Sequence, residues 1–323
     1  MKLIRQKYNY HVSLDTVEEF EKIILSDKSV TSVNEKNKFF SKVLFQLWNK
    51  LTVKKNDNLS IKPKSEITKT PLFAILMGPD FSKCFPYFIF QKNTSLYLFD
   101  AWPEKQKIII KFLNFFKVKN VFFTSSQTTE IIKSKVPNTN CYWIPEGILA
   151  ESYKSYQYKD KTIDVLALGR RHNIYNEKIV NYLEENNKLY LYEKEKGKII
   201  FPTRDGFIDG LAKSKISICV PSNITHPERS GNIETMTIRY LQSMASKCII
   251  LGHAPKEMIT LFGYNPVIEI DYNDPENQIL SILNNYEDYY SLIEKNYNTL
   301  LKNHTWTNRW ETMKEILNKN VPS

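Results

Sequence analysis

The chain has 323 residues and a formal charge of +10, from 45 basic and 35 acidic side chains. Apolar residues make up 42% and aromatics 13%, which supports real cores, excludes a disordered chain and suits about two domains. A basic surface attracts nucleotides, nucleic acid or acidic lipid headgroups, but the charge is spread along the chain, which argues against nucleic acid as a partner.

Residues 15–25 and 36–50 read as helices. The second mixes Phe39, Phe40, Val43, Leu44, Leu47 and Trp48 with Lys36, Lys38, Lys42 and Lys50, and Lys54 and Lys55 follow it. That pattern fits a basic amphipathic helix on an anionic membrane surface, or an ordinary core-facing helix with solvated lysines. Residues 54–70 are polar and read as a loop. From residue 71 short apolar runs alternate with helical segments: 72–78, 95–100, 120–126 and 141–147 are strands, with helices after Pro103 and Thr128. A Lys- and Tyr-rich linker follows. The rhythm restarts with strands at 162–169, 189–193, 217–222, 248–252 and 267–271, and helices near 177–184, 204–213, 234–246 and 255–262. Residues 275–302 form a long helical region and 305–317 a final amphipathic helix. Such alternation indicates parallel sheets covered on both faces. The expected fold is α/β, two Rossmann-like doubly wound domains with a cleft between them, over 1–150 and 160–304, with 305–323 as a closing helix.

Cys84, Cys141, Cys219 and Cys248 form no CxxC pair. They suit a reducing, cytoplasmic compartment better than a zinc site. The N-terminus lacks the apolar run of a signal peptide, and no stretch is long and apolar enough to span a bilayer. The expected location is therefore cytoplasmic, at the inner membrane face if at a membrane at all.

Chemistry-bearing residues gather at strand ends. Gly169 permits close backbone approach, and Arg170 and Arg171 follow it; guanidinium matches phosphate oxygens bidentately and keeps its charge. The same pair also reads as a solvent-facing strand end. The loop 221–232 carries His226 and Arg229, candidates for phosphate or sugar contacts or simply solvated groups. Glu234 stands where a helix mouth is expected, as a ligand contact or a cap. Gln242, eight residues on, can bond a ribose diol as donor and acceptor, or be solvated. Asp100 ends a strand: a base for an acceptor hydroxyl, or the cap of the helix at Pro103. No P-loop, GxGxxG, GxSxG or Asp-x-Asp occurs. No metal cofactor is expected, and arginines and helix ends would have to hold a diphosphate.

Three stretches carry a family resemblance. WIPEGI (143–148) resembles the strand and turn that closes the first domain of the group 1 glycosyltransferases of the GT-B fold, with Glu146 in place of the usual Asn. DVLALGRR (164–171) is similar to that family's phosphate-binding turn. ETMTIRYLQSMASKCIILG (234–252) is similar to its pair of glutamates separated by seven residues, with Glu234 on the first and Gln242 replacing the second. Arg239 is similar to an arginine in a related subgroup. The resemblance implies an enzyme that moves a sugar from a nucleotide-sugar donor to a glycan or lipid-linked acceptor, in bacterial surface polysaccharide synthesis. It implies that Glu234 contacts the donor sugar, Gln242 the ribose and Arg170 the diphosphate. A nucleotide-sugar epimerase of the same architecture and a non-catalytic nucleic-acid binder are the competing readings.

Overall fold

The computed structural model describes residues 1–5, 11, 14–34, 38–53, 70–169, 171–195 and 197–319. The chain divides into two units: residues 1–145 with 310–323, and residues 146–309. Unit 1 contains β1 (Lys2–Arg5), α1 (Asp15–Ser26), β2 (Thr31–Asn34), α2 (Lys38–Val53), β3 (Leu72–Met77), the short α3 (Phe85–Phe88), β4 (Thr94–Phe99), α4 (Pro103–Phe116), β5 (Asn120–Phe123), α5 (Ser126–Lys133) and β6 (Asn140–Trp143). Unit 2 contains β7 (Ile163–Ala167), α6 (Asn173–Glu185), β8 (Tyr190–Tyr192), α7 (Arg204–Ala212), β9 (Ser214–Cys219), the single turns α8 (Ser222–Thr225) and α9 (Pro227–Ser230), α10 (Ile238–Ala245), β10 (Ile249–Gly252), α11 (Lys256–Phe262), β11 (Ile268–Glu269), α12 (Pro275–Asn284) and α13 (Tyr290–Asn303). The last helix, α14 (Trp306–Lys319), starts in unit 2 and ends in unit 1.

Both sheets are parallel. Their orders are β2-β1-β3-β4-β5-β6 and β11-β10-β9-β7-β8. Strands of this kind are buried on both faces, so their sequences run apolar without alternation; LFAILM, TSLYLF and IDVLA do so. On one face of the unit 1 sheet, Leu72, Ala74 and Leu76 join a core with Trp48, Phe81, Phe85 and Phe112. Phe81 stacks on Phe112 with centroids 3.9 Å apart, and Trp48 of α2 meets Phe112 and Phe115 edge-on. On the other face Phe20 of α1 packs on Tyr97, and Trp310 of α14 on Phe73. The end of α14 is tied to unit 1 through Asp27, which accepts from Trp310 Nε1 at 3.2 Å and pairs with Lys314 at 2.8 Å. Those bonds and the Ser29 donors hold the Asp27 carboxyl well below the usual carboxylate range.

The structure departs from the sequence reading in three places. Strands β1 and β2 were not expected, because each has four residues and β2 exposes three of its own. The expected loop at 54–70 lies, but for residue 70, outside the described residues. The long helical region at 275–302 is broken by a 3-10 turn at Tyr286–Tyr289. The cap position of α4 is Trp102, with no side-chain cap bond, so Asp100 does not cap it; it sits one step past β4 in a left-handed backbone (φ 47°), which Asp tolerates better than most residues.

Unit 2 is held by two buried polar centres. Lys161, just before β7, donates to the carbonyls of Ala212 (3.0 Å), Ser214 (2.9 Å) and Ser246 (3.0 Å). It thereby ties the end of α7, the start of β9 and the turn after α10, and its burial lowers the ammonium pKa. The second centre is Arg309. Its Nε donates to the Glu146 carbonyl at 3.3 Å, Nη1 to Asn303 O at 3.1 Å, and Nη2 lies 2.8 Å from His304 Nδ1. The His304 ring is buried and stacks on Phe262 at 4.2 Å. At Gly147 a side chain would meet the backbone nitrogen of Trp306 at 2.9 Å, so this turn must stay a glycine to pair with the start of α14.

Two outcomes follow from these centres. Lys161→Met takes the charged donor away from three buried carbonyls, leaving two of them only the weak Cys248 thiol, and should lower the urea-unfolding free energy by about 3 kcal/mol. His304 is pushed from 6.5 to about 3 by burial and by the Arg309 cation. The unfolded imidazole therefore binds a proton first. Stability from neutral His304 is complete above pH 6.5 and is lost as pH falls toward 3. Urea unfolding between pH 7 and 5 should show a slope of about 1 kcal/mol per pH unit at its steepest, which His304→Asn flattens.

Candidate functional site

In the unit 2 sheet the chain runs outward from β7 to β8 and then crosses back to β9, on the other side of β7. The carboxyl ends of β7 and β9 therefore diverge, and in open α/β sheets this switch point is where ligands bind. The Arg239 guanidinium spans it. Nη1 donates to Leu168 O, just past β7, at 2.6 Å, and Nη2 to Val220 O, just past β9, at 3.4 Å. Gly169 has a left-handed backbone (φ 68°), and a side chain there would come within 4.0 Å of Arg239 Nη1. Arg170 lies outside the described residues. Arg171 places its guanidinium 5.1 Å from the ring of Tyr192 at the end of β8. His172 then caps α6, its Nδ1 accepting from Tyr175 N at 3.3 Å. The structure thus brings Gly169, Arg171 and Arg239 to one sheet edge, beside the N-terminus of a helix of 13 residues.

The segment 234–238 differs from its sequence reading. Helix α10 begins at Ile238, so Glu234 is not at its mouth. The mouth is held by Glu146, a buried side chain whose Oε2 accepts from Ile238 N at 2.8 Å. Glu234 reaches the other way and accepts from Lys256 N, at the start of α11, at 3.3 Å. Glu257 returns the contact: its Oε1 accepts from Met236 N at 2.9 Å and from Thr235 Oγ1 at 2.8 Å. Three carboxylates so fix the chain leading into α10. An anion at a helix mouth is favourable, and Glu146 already occupies that position.

Gln242 is 2% exposed, and its Nε2 donates to the Tyr153 hydroxyl at 3.0 Å. The ribose contact expected of Gln242 would have to be made by an amide whose Nε2 already donates to Tyr153. His226 precedes α9, with Nδ1 3.0 Å from Thr225 Oγ1, and Arg229 lies exposed in the next turn. Asp100 belongs to unit 1, at the carboxyl end of β4.

Sequence reasoning missed a second polar group on the unit 2 edge. His253, after β10, lies 2.9 Å from Glu269 Oε2 through Nδ1 and 2.7 Å from Tyr272 Oη through Nε2. The Tyr272 ring sits 5.0 Å from His172, and its burial raises the phenol pKa. Gly252 makes this possible: a side chain there would strike Cys219 O at 1.8 Å. The only signal in the sequence was that His253 directly follows an apolar strand.

No protein-family model matches the chain, and no curated protein sequence matches it. Solved structures do. The chain is similar to a glycosyltransferase from Rickettsia africae ESF-5 (TM-score 0.56, 11% identity, 98% of this chain and 97% of that one). It is similar to HepE from Anabaena in complex with UDP and glucose (TM-score 0.58, 10% identity, 98% and 99%). It is also similar to TarM from S. aureus (TM-score 0.54, 16% identity), matching over 76% of this chain and spanning 55% of TarM. Two parallel-sheet, Rossmann-like units with this likeness give the chain the GT-B fold of those glycosyltransferase structures.

Proposed function

We propose that the chain is a glycosyltransferase that moves a sugar from a nucleotide-sugar donor to a hydroxyl of a glycan or lipid-linked acceptor, in surface polysaccharide synthesis. The observation that carries this reading is Arg239, pinned across the diverging ends of β7 and β9 beside Gly169 and Arg171. The likeness to HepE, which was crystallised with UDP and glucose, supports it over nearly the whole chain.

In this reading the donor diphosphate lies against the turn from Gly169 to Arg171 and the first N–H groups of α6. The acceptor oxygen forms a bond to the anomeric carbon while the bond from that carbon to the diphosphate oxygen breaks. Negative charge then grows on the leaving nucleoside diphosphate. Guanidinium groups and backbone donors set in advance for that charge stabilise the transition state more than the ground state. Arg170 and Arg171 are assigned this task, with Arg239 as the fixed cation between the strand ends. Glu234 is assigned to the donor sugar, its carboxylate oriented by Lys256 N. His226 and Arg229 are assigned to the donor's periphery. Asp100 is the candidate in unit 1 for taking the acceptor proton. Gln242 is given a packing role through Tyr153.

Calorimetric titration and thermal shift with UDP, GDP, CMP and dTDP and their sugars test the reading. One nucleotide family should raise the melting temperature, and Arg239→Lys should weaken it about ten-fold, or 1.4 kcal/mol, through loss of the planar fork. Glu234→Gln should keep nucleotide affinity and lose transfer. A chain that no nucleotide sugar stabilises is not a transferase of this kind.

A further inference from the structure

Helix α2 presents two apolar faces. The inner one carries Trp48 and Phe45 into the unit 1 core. The outer one is exposed: Phe40 by 60%, Val43 by 36%, Leu47 by 51% and Leu51 by 72%. At ~100° per residue these four fall within an arc of about 80°. Exposed Lys50 borders that arc and exposed Lys42 lies beyond it, with Gln46 between them on the wheel. The helix sequence, KFFSKVLFQLWNKLTV, contains no acidic residue. The inner aromatic packing holds the helix in place, and Lys111 of α4 pins it further, its Nζ donating to Asn49 Oδ1 at 2.9 Å and to Asn49 O at 3.1 Å. The exposed arc is therefore a feature of a seated helix.

We infer that this outer face of α2 docks on the surface of a bilayer rich in anionic lipid. The four apolar side chains enter the boundary between headgroups and acyl chains, and Lys42 and Lys50 reach the phosphates beside them. Charge chooses the occupant. A second copy placed on this face by a two-fold axis would set lysines against lysines with no carboxylate on either helix. An anionic headgroup layer meets the same lysines favourably, and a formal charge of +10 on the whole chain adds long-range attraction. No helix among the described residues is long and apolar enough to cross a membrane, so the contact is one of lying on the surface. The inference stands apart from the reading of the unit 2 edge, since every residue it uses is in unit 1.

The test is flotation with vesicles of pure phosphatidylcholine and of phosphatidylcholine with about one-third phosphatidylglycerol. The full chain should partition at least ten-fold more strongly to the anionic vesicles and be released by high salt. Phe40→Ser with Leu47→Ser should lose that binding while the melting temperature and nucleotide response stay as in the parent. Lys42→Glu with Lys50→Glu leaves the apolar arc intact and should abolish the preference for phosphatidylglycerol. Equal partition into both vesicle types, or undiminished binding by both double variants, overturns the inference. So does a parent that elutes as a dimer which Phe40→Ser with Leu47→Ser converts to a monomer, because the face would then be a contact between copies.

Discussion

The start of α10 is the constraint on which the carboxyl edge of unit 2 depends. Its first N–H needs an acceptor, and a carboxylate arriving from a turn far away in the chain supplies one. Glu146 is buried there, its own carbonyl held by Arg309, and Arg309 leans on His304. With Glu234 and Glu257 exchanging bonds between residues 234–236 and the start of α11, the approach to α10 is locked from three directions. Arg239, one residue into the helix, is thereby aimed back at the ends of β7 and β9. A protein anion at this mouth leaves the neighbouring turn, with Gly169, Arg171 and a longer helix behind it, as the place proposed for a ligand anion.

The same strand order, with the second strand outside the first and the third on its other side, occurs in both sheets. That topology makes a divergence at the strand ends without any special residue. What distinguishes unit 2 is what it places there: cations at β7 and β9, and the His253, Glu269 and Tyr272 group beyond β10 and β11. In unit 1 the matching effort goes into aromatic packing. Trp48 and Phe45 close the core from α2, and the helix is left with a second apolar face that the core does not use. Aromatic burial thus fixes the helix in place and, by fixing it, presents its other side.

The sequence carried much of this. Strands β3, β4, β7 and β10 read directly from their apolar runs, because strands covered on both faces need no alternation. The turn at Gly169 was legible because a glycine closes the apolar run of β7, whereas the use of the arginines after it stayed open between a phosphate contact and a solvent-facing strand end. The core-facing reading of α2 was legible, and Trp48 packs into the unit 1 core. Strands β1 and β2 were not legible, since β2 is an edge strand with three exposed residues and β1 beside it buries only Leu3 and Ile4 fully.

By itself, then, the amino-acid sequence determined the alternation of strands and helices, the two-unit α/β plan and the turn after β7. Tertiary structure alone decided which acid holds which helix. Glu146 and Ile238 are 92 residues apart, and Arg239 and Leu168 are 71 apart. A carboxylate or guanidinium bonds whatever donor or acceptor the packing brings within about 3 Å, and no local spacing encodes that choice. For the same reason the position of Gln242 on the helix was visible in the sequence, but its burial against Tyr153 was not.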